Sequence, residues 1–360
     1  MILSNLLSTA ATLSFLPKAI GRNPWGERLK KIQRSANYQD DSFQNQSLTP
    51  VMSDKGSFFK ILWKFINKPK TVIPPLPLPS VKTDLKQLPE GNPVLIWFGH
   101  SSYLLKIYGK HILVDPVFSG YASPFKLKSA KNFEGSNVFG VEDLPAIDIL
   151  LITHDHYDHL DYQTVLKLNS KTKHIVTSLG VGAHLEYWGF DAGKITELDW
   201  DESTEKVEGL KLICAPSRHF SGRSFARFKT LWASYILKTR DYSIYLGGDS
   251  GYDKHFKEIG ETFGPFDLAI LESGQYNEAW KNIHMMPEET VQASLDLRAK
   301  WLLPVHWGKF SLSIHPWNEP IERVMKKSEE LGVHVTTPMI GEPLVIGENY
   351  PYGKWWRELL

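Results

Sequence analysis

The stretch ITHDHYDHLD, residues 152–161, places three histidines and three aspartates in ten positions. The whole chain has 13 histidines in 360 residues, so the cluster is far denser than its background. Solubility does not call for it, and an apolar core would not tolerate it. Imidazole nitrogen and carboxylate oxygen are the ligands zinc accepts where thiolate is absent. His154 and His156, at i and i+2, can flank one ion; Asp158 and His159, just beyond, can reach a second. The competing reading is a histidine-rich surface loop that binds metal adventitiously. The downstream sequence weighs against it: His219 in APSRHFSG, Asp249 in YLGGDSGY and His306 in LLPVHWGKF each follow an apolar run. These seven divide into three histidines for one ion, an aspartate with two histidines for the other, and one bridging aspartate. Two ions about 3.5–4 Å apart lower the pKa of a shared water towards neutrality.

Such residues need elements to hold them. VLIWFG (94–99), SYLLKIY (102–108) and HILVDP (111–116) are short, apolar or aromatic, and separated by turn residues, which predicts strands. IDILLIT (147–153) is an almost unbroken apolar run, the mark of a buried strand. HIVTS (174–178), LKLICAP (210–216), WASYILK (232–238), YSIYLGGD (242–249), LAILE (268–272) and WLLPVH (301–306) follow. Helices are expected over 161–169, 180–188, 253–262, 287–299 and 319–331. Strands come first and then alternate with helices. The expected fold is therefore α/β (α+β), a four-layer αββα sandwich. The metal motif directly follows a strand, and ligand sites favour loops at strand ends.

The main domain is expected over 94–345, opening just after Pro93. Residues 1–70 read as an N-terminal arm, polar and irregular over 21–57, residues 71–93 as a Pro-rich strap, and residues 346–360 as a C-terminal tail. VIPPLPLPSV (72–81) fits an extended polyproline-like path. In FFKILWKFINK (58–68) an aromatic and aliphatic arc backs onto Lys60, Lys64 and Lys68. That pattern suits a helix packed on its own domain with lysines in water, and it also suits a helix lying on an anionic membrane. No Lys or Arg precedes Lys18, so a secretory leader is not expected. No run is long and apolar enough for a membrane span.

Composition removes several classes. A net charge of +1 gives no field for nucleic acid. The single cysteine, Cys214, excludes an internal disulfide framework and an all-cysteine zinc site, and its apolar strand marks it as an inert core residue. There is no GxxxxGK loop for ATP and no GxSxG elbow for a serine hydrolase. Twelve tryptophans imply extensive aromatic packing or an amphipathic surface. Asp155 reads as an orienting carboxylate and Tyr157 as a packing residue. Arg218 and Arg223 read equally as anion anchors or solvated arginines. His111, His174, His184, His255, His315 and His334 have no ligand-like context and read as surface or loop groups.

HDHYDH matches the HxHxDH signature of the metallo-β-lactamase fold, and the later His, Asp and His fall in the expected order. WFGHSS, VDPVFSGYASP, HDHYDHLDYQTV, PSRHFSGR, GDSGY, FGPFDLAILESGQYNEAW, IHMMPEETVQ and VHWGKF resemble the N-acyl-phosphatidylethanolamine-hydrolysing phospholipase D branch and its bacterial relatives, over roughly residues 93–345. The resemblance implies two zinc ions; nitrogen and oxygen ligand sets of this kind also take manganese or iron. His154, His156 and His219 would hold the first, Asp158, His159 and His306 the second, and Asp249 would bridge them. It implies that His284 lies near the substrate phosphate and that Asp115 supports the ligand loop. His100 in FGHSS lies close by and reads as a hydrogen-bonded loop histidine. Asp249, His284 and Asp158 are the catalytic candidates.

The resemblance implies a phosphodiesterase that releases phosphatidic acid and N-acylethanolamine from N-acyl-phosphatidylethanolamine, or cleaves a related glycerophospholipid, by attack of a metal-bridging hydroxide. The implied partners are a phospholipid substrate, a membrane surface met peripherally and a second copy of the chain. The implied location is the cytoplasm, at the inner face of the membrane. The alternative is a soluble metal-dependent hydrolase of a small lactone or sugar phosphate, like ascorbate-6-phosphate lactonase. QYNEAWKNIH and the region from His219 to Trp232 depart from the animal enzymes, which leaves acyl-chain and head-group preference open. A non-catalytic protein with a structural metal needs only four ligands, so seven argue against it.

Overall fold

The computed structural model describes residues 18–52, 58–224 and 226–359. The expectation about a leader falls on residues outside this set, as do the side chains of Phe58, Phe59, Lys60 and Leu62. The first elements bounded within the described residues are helix α1 (Gly26–Ile32), a small hairpin of β1 (Tyr38–Gln39) and β2 (Ser42–Phe43), and helix α2 (Phe58–Ile66). A first sheet follows from β3 (Val94–Trp97), β4 (Tyr103–Ile107), β5 (Lys110–Val114), β6 (Ile147–Ile152), β7 (Thr172–Ser178) and β8 (Ile195–Leu198). The second is built from β9 (Ser203–Val207), β10 (Leu210–Ala215), β11 (Ser234–Lys238), β12 (Ser243–Leu246), β13 (Leu268–Glu272) and β14 (Leu302–Val305). β15 (Pro343–Val345) returns to the edge of the first sheet. The strand orders are β15-β3-β4-β5-β6-β7-β8 and β14-β13-β12-β11-β10-β9.

Side-chain alternation along the strands creates three cores. Tyr103, Leu105 and Ile107 of β4 meet Leu212 and Cys214 of β10, Tyr235 and Leu237 of β11 and Ile270 of β13 in the space between the sheets. Leu104 of β4, with Leu113, Leu150 and Ile175, faces outward onto Val165 and Leu168 of helix α3 (Tyr162–Leu168) and Leu185 of helix α4 (Gly182–Tyr187). On the far side, Ile236, Tyr245, Ala269 and Leu271 face Phe256 and Ile259 of α5 (His255–Phe263), Val291 of α6 (Pro287–Asp296) and Val324 of α7 (Glu319–Leu331). This is the expected αββα sandwich. Both sheets change from antiparallel to parallel pairing partway across, at β5–β6 and at β12–β13.

The expected boundaries do not mark the edges of the packed body. Ile32 and Phe43 of the arm belong to the inter-sheet core, and α1 is a regular helix inside the stretch read as irregular. The segment read as a tail carries Trp355 and Trp356, both buried. Trp307 lies 5.3 Å and 5.8 Å from their rings and 5.5 Å from Trp97. The aromatic excess therefore serves packing in large part. The Pro-rich strap contains no helix or central strand beyond a single turn at Lys70–Val72, and Leu78 anchors it in the core. Among the described residues, no helix is long and apolar enough to cross a membrane.

Candidate metal centre

Strand ends place the seven ligand candidates. As β6 stops at Ile152, Asp115 catches the departing chain. Its Oδ1 accepts from Thr153 N–H (2.9 Å), and its Oδ2 accepts from the Thr153 hydroxyl (2.6 Å) and from His159 Nδ1 (2.7 Å). The His156 carbonyl then accepts from the N–H groups of His159 and Leu160 at 3.1 Å and 2.8 Å, which tightens the loop. Asp161 closes it as the cap of α3, accepting from Gln163 N–H (3.2 Å) and Ser119 N–H (2.9 Å). His219, Asp249 and His306 come from beyond β10, β12 and β14 of the other sheet, so the site sits where the two sheets meet.

The seven side chains converge. His156 Nδ1 is 2.9 Å from His154 Nε2 and 3.2 Å from His219 Nε2. Asp249 Oδ2 faces His154, His219 and His159 at 3.9, 3.7 and 3.2 Å, and its Oδ1 is 3.1 Å from His306 Nδ1. His154, His156, His219 and Asp249 form one cluster whose ligand atoms lie within 4.8 Å of one another, and His100, Asp158, His159 and His306 form a second. Asp249 thus stands between the two. His159 Nε2 and Asp249 Oδ1 are buried without a hydrogen-bond partner among the described residues, although both aim into the cluster. Buried polar atoms left so are rare, and a cation is the group that would satisfy a converging set of nitrogens and carboxylate oxygens.

The electrostatics agree with ligand duty at three histidines and not at His159, where the carboxylates of Asp249, Asp158 and Asp115 outweigh burial and hold the ring well above the ordinary histidine value. Burial pushes His154, His219 and His306 well below the ordinary histidine value, which keeps them neutral, as ligation requires. Burial alone would raise the Asp158 and Asp249 carboxyls. The charged His159 outweighs it at both, helped at Asp158 by the hydrogen bond to His100, and both acids stay ionised.

A cavity of about 590 Å³ opens over this floor. His156, Asp158, Asp249, His284 and His306 line its base, and Val51, Met52, Ile61, Phe65, Phe220, Trp280, Ile283 and Leu312 form apolar walls. Residues 110–307 match the family described as the beta-lactamase superfamily domain. The chain belongs to that family. A Mycobacterium tuberculosis protein described as uncharacterized is 39% identical over 346 residues, 95% of this chain and 92% of the relative. The N-acyl-phosphatidylethanolamine-hydrolyzing phospholipase D 1 of Caenorhabditis elegans is 32% identical over 252 residues, 65% of this chain and 70% of the relative. Among solved structures, the metallo hydrolase Igni18 of Ignicoccus hospitalis superposes with a TM-score of 0.55 at 20% identity, over 72% of this chain and all of that one (100%), a likeness of fold. The protein is a metallo-β-lactamase-fold hydrolase near the phospholipase D branch that the motifs resemble.

Around the metallo-β-lactamase centre several side chains take unexpected duties. His100, expected to be a hydrogen-bonded loop histidine, makes its bond to a site carboxylate: Nε2 is 3.0 Å from Asp158 Oδ2. Its ring lies 4.0 Å from that of His306, so it is a further nitrogen at the second cluster. The sequence carried one signal for it, since His100 also follows an apolar strand. Glu272, unremarked in the sequence, ends β13 beneath His284, whose Nδ1 it meets at 2.7 Å.

Arg223 is neither an anion anchor nor solvated. It is buried, donates to the carbonyls of Asp155 (2.7 Å), Leu160 (2.8 Å) and Ala19 (2.8 Å), and lies over the Tyr157 ring. Arg218 reaches back to Leu48 and Thr49 of the arm. Asp155 orients a neighbouring loop, accepting from Gly222 N–H (2.7 Å) and the Thr230 hydroxyl (2.9 Å). His184 and His255 are buried helix residues rather than surface groups, and His184 meets Asp155 at 3.2 Å.

Proposed function

We propose that the protein is a phosphodiesterase of phospholipase D type that holds two zinc ions and hydrolyses N-acyl-phosphatidylethanolamine or a related glycerophospholipid. The observation that carries this reading is a nitrogen- and oxygen-rich ligand floor at the base of a cavity with apolar walls. The floor suits a phosphodiester, and the walls suit the acyl chains attached to it. His154, His156 and His219 would hold one ion, Asp158, His159 and His306 the other, and Asp249 would touch both. When bound, two such ions supply an acidified water and counter-charge for a phosphodiester.

The chain's own groups do the rest. Asp249, fixed between the two clusters, orients the attacking water. Asp158 is held by His100 so that its charge faces the floor. His284 stands with its ring 5.0 Å from His219 and 5.3 Å from His306, within reach of the leaving oxygen. Water adds to phosphorus, the bond to the ethanolamine oxygen breaks, His284 gives that oxygen a proton, and the proton released by the water restores His284. Arg227 also lines the cavity and supplies a positive charge for the lipid phosphate. The apolar walls exclude bulk water from the reacting atoms.

Helix α2 extends this reading to the membrane. Ile61 and Phe65 line the cavity, whereas Trp63 and Ile66 are 65% and 74% exposed. A helix with one apolar face in the cavity wall and another in solvent can lie on the inner face of a bilayer and pass a lipid inward.

The test is hydrolysis of N-acyl-phosphatidylethanolamine in mixed micelles by zinc-loaded protein, both products being followed by mass spectrometry, with His156→Ala as control. Phosphatidic acid and N-acylethanolamine should appear together and vanish in the variant. Two metals per chain with neither product would overturn the lipid reading and turn attention to small lactones and soluble phosphodiesters.

A further inference from the structure

His219 lies in the long connection between β10 and β11, whose described residues form neither helix nor strand. Its backbone N–H and C=O therefore have no ladder to join, and buried backbone groups need partners. One side chain from the N-terminal arm supplies both. Asn45 Oδ1 accepts from His219 N–H at 3.0 Å, and Asn45 Nδ2 donates to the His219 carbonyl at 2.8 Å. The same Oδ1 accepts from Trp232 Nε1 at 3.1 Å, which ties the grip to the start of β11.

The ring of His219 has its own restraint: Nδ1 donates to the Ile283 carbonyl at 2.8 Å, leaving Nε2 directed at His156 and Asp249. Two points on the backbone and one on the ring fix both the position and the rotation of this imidazole. The arm is itself held close by. Phe43 N–H donates to the Phe228 carbonyl at 2.9 Å, Arg218 Nε donates to the Thr49 hydroxyl at 2.9 Å, and Asn282 Nδ2 donates to the Pro50 carbonyl at 3.1 Å. Residue 45 falls outside the stretch 110–307 that matches the family.

We propose that Asn45 is a positioning residue for the metal centre, holding the His219 backbone so that Nε2 faces the first cluster, and that the arm is thereby part of the site. The inference rests on the reading of His219 as a metal ligand. Asparagine suits the task because it offers a donor and an acceptor side by side, which neither aspartate nor leucine does. Aspartate would keep the acceptor for His219 N–H but set an oxygen against the His219 carbonyl. Partners that orient a metal-ligating histidine are worth about 10–100-fold in metal affinity.

The experiment uses the full chain and two probes, zinc competed against a chromogenic chelator and the visible spectrum of the cobalt-substituted protein. Asn45→Ala should lose about 10–100-fold in affinity for one of the ions and alter the cobalt bands. Thr49→Val, which removes one bond between arm and body and leaves His219 untouched, should keep the wild-type values. Melting of the metal-free proteins separates lost positioning from lost folding, and Asn45→Asp carries the measurement if Asn45→Ala does not fold. Wild-type affinity and spectrum in both Asn45 variants would overturn the inference while leaving the ligand reading intact. A wild-type protein whose metal content and cobalt bands ignore His219→Ala would overturn both.

Discussion

Glu272 Oε2 lies 2.7 Å from Nδ1 of His284, while Oε1 of the same carboxyl accepts from Ser250 N–H (2.9 Å) and Met285 N–H (3.2 Å). The acid is buried and pinned on both oxygens, so the orientation of His284 is set from below. Burial pushes Glu272 up to about 7, with His284 pulling the other way. Burial also opposes a charged His284, but the Glu272 carboxylate, with Asp249 behind it, outweighs this and carries it up to about 9.

A proton donor of this kind works while it keeps its proton. In the wild type, activity that depends on protonated His284 should fall as pH rises through about 9. Glu272→Gln keeps the shape and loses the charge, so the alkaline limb of the kcat profile should move to lower pH. The same variant should lower kcat by roughly 10²-fold with little change in KM. A pH–rate profile of both proteins checks this, and an unmoved alkaline limb would refute it.

Lys309 is buried, with its ammonium donating to the Phe98 carbonyl at 3.0 Å and no carboxylate among the described residues bonded to it. Burial pulls it down to about 7, with Asp161 offsetting part of the effect. Between about pH 7 and the ordinary lysine value of 10.5, the unfolded chain binds a proton that the folded chain does not. This group therefore adds stability as pH rises through that window, and its cost is full and constant below it. Lys309→Met should stabilise the fold by about 3 kcal/mol at pH 6, after losing the bond to Phe98. The gain should vanish near pH 10. Urea titrations of both proteins at several pH values measure the difference.

Trp63 and Ile66 face solvent on a helix whose neighbours Ile61 and Phe65 line the cavity. Replacing both by serine should weaken partition onto phosphatidylglycerol vesicles at least about tenfold. Cleavage of a short, soluble phosphodiester should not change. Co-sedimentation and a soluble-substrate assay separate the two, and equal vesicle binding by the double variant would remove α2 from the membrane contact.

Trp356 is fully buried, and its Nε1 donates to Glu322 at 2.7 Å. Trp356→Ala should cost about 3–5 kcal/mol. Tyr352→Ala, at a side chain 76% exposed, should stay within about 0.5 kcal/mol. Equilibrium unfolding of the two variants tests whether the last residues belong to the body.

What could be read from the sequence follows from how each element is buried. β6, β10 and β13 lie inside their sheets, so their apolar runs announced them. β8, β9 and β15 were not foreseen. All three are edge strands, and Ser203–Val207 has no fully buried residue, so no apolar pattern betrays it. The same logic governs the site. His154, His156, Asp158 and His159 were legible because they are neighbours in sequence. His219, Asp249 and His306 each gave a single weaker signal, a polar residue past an apolar run. Glu272 gave that signal too, as the acid ending LAILE, and it passed unread. Asn45 gave none, because its contact with His219 exists only where two distant segments touch.

That contact has a consequence for how the protein is made. Asn45 and its partner His219 are separated by 174 residues. At about 5–20 residues per second on the ribosome, the arm waits on the order of ten seconds or more before its partner exists. During that interval the second sheet, which completes the core that Ile32 and Phe43 join, is unfinished. Residues 32–45 are thus made early and seated late, and the loop that carries His219 gains its bonds to Asn45 only when they close over it.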